Sequence, residues 1–576
     1  MIETSSGRSD SFLFLLLRRM RIPLIVLISA YAFATVGFTL MPGVDDQGNP
    51  WRMSFFEAFY VVSYTGTTIG FGEVPYDFTP AQRMWTMVSI YVTVIAWLFS
   101  IGSIISLVQD PAYIRALKHS RRRRAVRHLA EPFYMVCGYG DTGRMLTRAL
   151  TDQGHPVVVI EHNGDKIDGL SVEEFGAEVI SFQSDARLPD HLVDAGLRSR
   201  WCLGVLAVTG DDRANLKVAI SSKLLNHKAA VHARADSRAV ADNMRSFETD
   251  HVINPVAEFV RRMTLAIERP NAFRLYQWLA SGPSARIPET RQPPRGRWVL
   301  CGYGRPGRAL HAALKDLGME VAVIAPDADD PPPGFIDAIG TDAEDLQAAG
   351  IEEAVGVLAT STDDADNLSI LITARALNED LFVGALENGL STHALFRAAE
   401  PDVLGQPSTV VAGAILGRVR SSLMGDFLDH VLEADDAFAG KVLEALRSHG
   451  VESPPEISSG RISARRAPAV ARVLEAGGEV SVGALLRDAG NRDRRLPLSV
   501  LMIARDDEPL LWPDEDTPLQ SGDRLLLAGR PGAARRVSAL LENDQALAYV
   551  LTGKEILQGW FWDWLERRRA GRAGSA

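Results

Sequence analysis

The sequence predicts a multidomain chain in which an α-helical, two-span membrane domain precedes two Rossmann-like α/β domains and a small α+β C-terminal domain. Three observations carry this prediction. Pro23 to Met41 and Met84 to Gln109 are free of charge. Beyond residue 127, short apolar runs alternate with helical patterns. Cys137-Gly-Tyr-Gly140 then returns as Cys301-Gly-Tyr-Gly304, each followed by two residues and Gly-Arg. A length of 576 residues suits about four units of ~150 residues. Apolar content of 46% and charged content of 23% exclude wholesale disorder, and three cysteines exclude a disulfide scaffold and fit a reducing cytosol. The balance of 61 Lys+Arg against 72 Asp+Glu, net -11, argues against nucleic-acid binding.

Each apolar stretch is long enough for a ~30 Å hydrocarbon core, which takes about 20 helical residues. A signal peptide is a poor reading of the first, which has no small-residue cleavage site and is followed by a second span. Arg18, Arg19 and Arg21 precede the first span; Arg115, Lys118, Arg121 to Arg124 and Arg127 follow the second. The positive-inside rule therefore places both termini in the cytoplasm, with Asp45, Asp46 and Glu73 outside. Leu13 to Leu17 reads as a short helix lying in the inner interface. Residues 1–130 hold 13 Lys+Arg against 8 Asp+Glu, and the remaining 446 hold 48 against 64. The neutral mean hydropathy of +0.00 is thus an average over a basic membrane part and an acidic soluble part.

Trp51 to Thr67, between the spans, is aromatic and too short to cross, and it leads into Thr67-Thr68-Ile69-Gly70-Phe71-Gly72-Glu73. An ion filter replaces a hydration shell with inward-pointing backbone carbonyls, and alternate glycines permit the backbone angles this needs. Thr68 can add a hydroxyl at the inner mouth. Irregular backbone at membrane depth is acceptable only when buried in protein or lining a water path, which a re-entrant helix and loop satisfy.

Phe133 to Cys137 is a buried strand entering Gly138-x-Gly140-x-x-Gly143 and a helix. Such glycines let a phosphate approach the helix N-terminus. Glu161 ends the next strand, where a carboxylate can accept ribose hydroxyls. Asp185, at the end of the third strand, can contact an adenine or its ribose, and Arg234 at a later strand end can neutralise a pyrophosphate; an ordinary surface arginine is the alternative. The second copy keeps Gly302, Gly304 and Gly307 but has Ala325 where the first has Glu161, so a mononucleotide, another anion or no ligand are its options. Asp211-Asp212-x-x-Asn215 is echoed by Asp363-Asp364-x-x-Asn367. Cys137 and Cys301 read as small buried strand residues.

The pattern Thr65-x-x-Thr68-Ile69-Gly70-Phe71-Gly72 between two spans resembles the potassium-channel signature. Phe71 stands where tyrosine is commoner and Glu73 where aspartate is commoner. The repeats resemble RCK (TrkA-N type) domains, and Arg505-Asp506-Asp507-Glu508 with Leu519-Gln-Ser-Gly-Asp523-Arg-Leu-Leu527 resembles a TrkA-C domain. The whole order is similar to two-transmembrane prokaryotic potassium channels with tandem RCK domains. That resemblance implies a homotetramer in the plasma membrane, with potassium held at Thr68, Ile69, Gly70 and Phe71. It implies a gating ring binding NAD(H) or an adenine nucleotide in the first copy. Calcium, which opens some relatives through acids near a strand end, is not supported where Ala233-Arg234-Ala235-Asp236 stands. The expected organisation is an N-terminal segment 1–22, a pore domain 23–109, a basic linker 110–131 and a first RCK domain 132–280. A linker 281–295, a second RCK domain 296–453, a TrkA-C-like domain 454–545 and a tail 546–576 follow. A less selective cation channel is the nearest alternative. A membrane-tethered NAD-dependent oxidoreductase would explain the glycine loops but leaves Thr67 to Gly72 without a purpose.

Overall fold

The computed structural model describes residues 7–109, 111–280, 291–327, 330–420, 422–450, 454–506 and 508–554. Most of the glycine- and proline-rich linker (281–290) and the aromatic tail with Trp560, Phe561, Trp562 and Trp564 lie outside them. The chain divides into two compact units, Met1–Arg124 and Ala125–Ala576.

In the first unit, α1 (Gly7–Leu40) and α3 (Pro80–Gln109) flank the short α2 (Phe55–Gly66). The spans Met20–Leu40 and Pro80–Ser106 are long and apolar enough to cross a membrane. Leu13 to Leu17 does not form a separate helix. It is the start of α1, because the Arg-rich stretch to Ile22 contains good helix formers and no breaker. Pro23 inside α1 keeps its carbonyl useful: it accepts the Ser100 hydroxyl from α3 at 3.1 Å. The Trp85 indole lies against Gly37 and donates to the Ala34 carbonyl at 3.0 Å, so the two spans meet through one small residue and one large one. α2 begins on a reciprocal Ser54–Glu57 capping box, which satisfies two orphan donors. The basic segment after the inner span continues as α4 (Pro111–His128).

The second unit opens with β1 (Phe133–Cys137), α5 (Asp141–Asp152), β2 (Val157–Glu161), β3 (Val179–Gln183) and β4 (Cys202–Ala207). α6 (Asp212–Leu225), β5 (Ala230–Arg234) and β6 (His251–Ile253) complete a six-stranded sheet, order β3-β2-β1-β4-β5-β6. All its pairings are parallel. Two helices follow, α7 (Pro255–Glu268) and α8 (Pro270–Ala280). The second copy has β7 (Arg297–Cys301), α9 (Arg305–Asp316), β8 (Glu320–Ile324), β9 (Gly356–Ala359), α10 (Asp364–Leu377), β10 (Phe382–Leu386) and β11 (Val403–Gly405). Its order is β8-β7-β9-β10-β11, with the counterpart of β3 reduced to one parallel bridge, Ile324 to Ile336. In both copies the cysteine before the glycine loop pairs with the isoleucine of the next strand, Cys137 with Ile160 and Cys301 with Ile324.

The two copies cover one another. Phe259, Met263 and Ile267 of α7 pack on Trp298, Leu300 and Leu358 of the second sheet. In return α11 (Pro407–Arg420) lays Val411, Ala412 and Ile415 on Val136, Leu146 and Leu206 of the first. α8 joins α12 (Ser422–Glu433) and α13 (Asp436–Ser448) in a core with Leu501, Met502 and Leu526 of the last domain. That domain is an antiparallel sheet of β12 (Glu456–Arg461), β13 (Leu498–Arg505), β14 (Glu508–Leu511) and β15 (Arg524–Gly529), order β12-β15-β13-β14.

The repeated Asp-Asp-x-x-Asn motif proves structural. Asp211 and Asp363 cap α6 and α10. Asn215 donates to the carbonyls of Thr209 and Arg234 at 2.9 and 3.0 Å, tying two strand ends together. Asn367 does the same to Ser361 and Leu386, both at 2.9 Å. Both asparagines are fully buried, so their alanine variants leave carbonyls unsatisfied, at ~1–3 kcal/mol each. Asn215→Ala and Asn367→Ala should each lower the thermal unfolding midpoint of the purified full-length protein, whereas exposed Asp152→Ala should leave it within about a degree.

Candidate pore loop and glycine-loop cavity

Thr68, Gly70 and Gly72 adopt positive φ of 62°, 65° and 93°, alternating with Ile69 and Phe71. Such alternation is the backbone pattern that lets successive carbonyls turn toward one side. Glycine accepts such angles freely, whereas threonine is strained there. Thr68 is held by its N–H on the Thr65 carbonyl at 3.1 Å and by Ile69 N–H on the Tyr64 carbonyl at 2.9 Å. The loop is braced from α2. The Tyr64 hydroxyl donates to the Gly72 carbonyl at 2.6 Å, and the Phe71 ring stacks 6.4 Å from Tyr60 and stands edge-on 5.6 Å from Tyr64. Phe71, lacking a hydroxyl, is thus anchored by ring packing while a helix tyrosine supplies the hydrogen bond. The Glu73 carboxylate accepts Phe78 N–H at 2.7 Å and a two-pronged contact from Arg83 at 2.9 and 3.1 Å, which pins the C-terminal end of the loop to α3. Ile69 and Phe71 are 61% and 65% exposed in the single chain. At Gly102 a Cβ would meet nothing within 4 Å, so close helix packing within the chain does not require that glycine.

In the second unit, five of the six sequence-predicted residues, Gly138, Gly140, Glu161, Asp185 and Arg234, line one cavity of about 560 Å³. It lies along the C-terminal ends of the strands at the point where the strand order reverses, the usual crevice for a nucleotide. Gly143 does not line it. A Cβ there would collide with the Gly138 carbonyl, so this glycine serves the close approach of helix and loop. Gly138, at φ 100°, provides the turn.

Glu161 is 5% exposed. Its carboxylate accepts Tyr139 N–H at 2.7 Å and Asn163 N–H at 2.9 Å, with His162 Nδ1 2.8 Å away. Burial alone would raise its pKa; these N–H donors, aided by Lys166 and His162, outweigh it and hold the group below the usual range. Asp185 is lowered chiefly by Arg187, which contacts it at 2.8 Å. Arg234 is already paired with Asp236 at 2.8 Å, so it enters the cavity as half of an ion pair, not as a free cation.

The structure adds residues that sequence reasoning missed. Thr142, on the first turn of α5, lines the cavity and is 3% exposed, and its buried hydroxyl has no hydrogen-bond partner among the described residues. A phosphate oxygen would satisfy it, so the residues present fit a nucleotide. A hydroxyl inside a glycine loop is a readable signal. Asn388 and Ser408, from the second copy, also line the cavity, and Leu390 N–H reaches the Asp141 carboxylate at 3.3 Å. No local pattern announces these, because they arrive through the packing of one copy on the other. In the second copy, a Cβ at Gly307 would collide with the Gly302 carbonyl, repeating the Gly143 relation, but nothing replaces Glu161 at buried Ala325. Among the described residues no group of three or more His, Cys, Asp or Glu converges on a metal position.

A braced carbonyl loop between two membrane-length helices, followed by Rossmann-type sheets, is the architecture of an ion-channel chain with appended α/β domains. Family comparison agrees: residues 25–110 match the Ion channel family, 134–255 and 298–404 the TrkA-N domain, and 471–542 the TrkA-C domain. The chain belongs to the channel proteins that carry TrkA-N and TrkA-C domains, a composition that is not that of an enzyme. It is 24% identical over 204 residues to Potassium channel protein 1 of Methanocaldococcus jannaschii, covering 35% of this chain and 59% of the relative. It is 23% identical over 251 residues to Probable potassium channel protein 2 of the same organism, covering 43% and 67%. The chain thus spans about three fifths to two thirds of these curated relatives. A solved structure described as GsuK channel bound to NAD aligns with 92% of this chain and 100% of its own, at 17% identity and a TM-score of 0.43.

Because the Glu161 pKa is depressed on folding, its contribution to stability is present above the unfolded value near ~4.3 and is lost as pH falls through the folded value. The unfolding midpoint of Glu161→Gln, followed from pH 7 to pH 3, should fall less steeply than that of the unaltered protein.

Proposed function

We propose that four copies of this chain form a potassium-selective pore in the cell's inner (plasma) membrane, with N- and C-termini cytoplasmic. Its gate responds to NAD(H) or an adenine nucleotide in the first Rossmann domain. The observation that carries the pore reading is the alternation of positive φ at Thr68, Gly70 and Gly72 behind an aromatic brace, a backbone arranged to present carbonyls in place of water. A single loop supplies one wall of such a filter, and its exposed apolar face calls for cyclic symmetry. The names of the two archaeal relatives support potassium as the ion. The orphaned Thr142 hydroxyl in the glycine-loop cavity supports the nucleotide.

A nucleotide shifts the gate only by the difference in its affinity for the two states, typically ~1–3 kcal/mol per coupled site. Four sites acting together give a steep response. Coupling runs through the basic segment that follows the inner span, and the direction of the response is a property of that coupling.

Two outcomes follow. In planar bilayers, reversal potentials under potassium and sodium gradients should show at least about tenfold preference for potassium, with block by barium; Tyr64→Phe, which removes the hydroxyl on the Gly72 carbonyl, should reduce that preference several-fold. NAD(H) or an adenine nucleotide on the cytosolic side should change open probability, and Thr142→Val with Glu161→Ala should blunt the change without altering selectivity. A pore indifferent to every nucleotide would remove the sensor assignment and leave the pore standing.

A further inference from the structure

The last domain holds a second concavity, of about 620 Å³, remote in sequence from the glycine loops. Arg461, Arg465, Arg466 and Arg524 line it together with Ser463 and a single acid, Glu475. The guanidinium groups of Arg461, Arg465 and Arg466 meet no carboxylate among the described residues. This cationic lining sits in the part of the chain that is acidic overall, so the concentration of positive charge is local.

The walls are also tied together by hydrogen bonds. Ile462 N–H donates to the Asp523 carbonyl and Gly522 N–H to the Ile462 carbonyl, both at 2.8 Å, which staples the 462–467 loop to the 520–524 turn. Asp523 is 1% exposed and holds that turn from within by accepting Arg505 at 2.8 and 2.9 Å and Gln520 N–H at 2.8 Å. Within the loop, Arg466 and Ala467 N–H groups turn back onto the Ser463 carbonyl at 3.2 and 2.8 Å. Successive arginines are thus presented from a fixed turn. Guanidinium groups have a fork geometry that suits phosphate oxygens, and hydrogen bonds between charged groups are roughly twice as strong as neutral ones.

We propose that this concavity is a second anion site, which binds a phosphate group carried either by a small phosphorylated metabolite or by a lipid headgroup. Arg461, Arg465 and Arg466 supply the charge and Ser463 a neutral hydroxyl. The site is independent of the glycine-loop cavity and stands whether or not that cavity takes a nucleotide.

The test uses the full-length protein in detergent with the glycine loop blocked by Gly140→Trp, so that any remaining binding belongs elsewhere. Calorimetric titration with ATP and with inorganic phosphate probes the soluble source; co-sedimentation with phosphatidylcholine vesicles with or without phosphatidic acid probes the lipid source. Saturable binding in either arm is expected, weakened at least about tenfold by Arg465→Gln with Arg466→Gln and largely kept by the paired lysine substitutions. Sulfate should compete with the soluble probes on otherwise unaltered protein, a readout that needs no arginine variant to fold. Absence of binding in both arms, or binding that the glutamine pair leaves unchanged, overturns the proposal. Loss of nucleotide response at the first site would not touch it.

Discussion

The exchange of covering helices between the two Rossmann copies is the contact on which the rest of the second unit depends. A parallel sheet must be buried on both faces, and neither copy has enough helix of its own to do this. α7 leaves the first copy to cover Trp298 and Leu300, and α11 leaves the second to cover Val136 and Leu206. Neither sheet would keep a dry face without the other. The same exchange brings Asn388 and Ser408 to the mouth of the glycine-loop cavity. A ligand there would touch both copies, so its binding energy would act on their relative arrangement.

The pore loop solves a different problem with similar economy. Its backbone must hold alternate positive φ angles, and no strand or helix ladder is available to hold them. Tyr64 and Tyr60 on α2 and Arg83 on α3 perform that task from outside, acting on Gly72, Phe71 and Glu73 respectively. Two of the three braces are aromatic, which gives Tyr60 and Tyr64 of α2 a role beyond burial.

Much of this was legible in the sequence, for reasons that differ by element. Charge-free runs of membrane length show the spans because hydrocarbon excludes charge over a fixed thickness. Glycine spacing shows both loops because only glycine fits a positive φ or a close backbone approach without strain, as at Gly138 and Gly143. Glu161 was legible at its strand end, but its engagement with two backbone N–H groups was not, since that depends on how the loop closes over it. Arg234 and Asp185 line the cavity, each beside a partner of opposite charge two residues away, Asp236 and Arg187, which strand-end position alone does not show. The Asp-Asp-x-x-Asn repeat proved to be a clamp on strand ends. Asn388, Ser408 and the arginine-lined concavity are products of tertiary packing, for which one-dimensional periodicity has no sign.

The three cysteines, each set inside a strand, carry a practical consequence. All are buried, and burial pushes the Cys202 and Cys301 thiols up to about 12 and Cys137 higher still, so none offers a thiolate at neutral pH. In its folded state the chain therefore behaves toward alkylating reagents as though it contained no cysteine. A single cysteine introduced on an exposed position would be the only one to take up a spectroscopic label, and the native background would not have to be removed first.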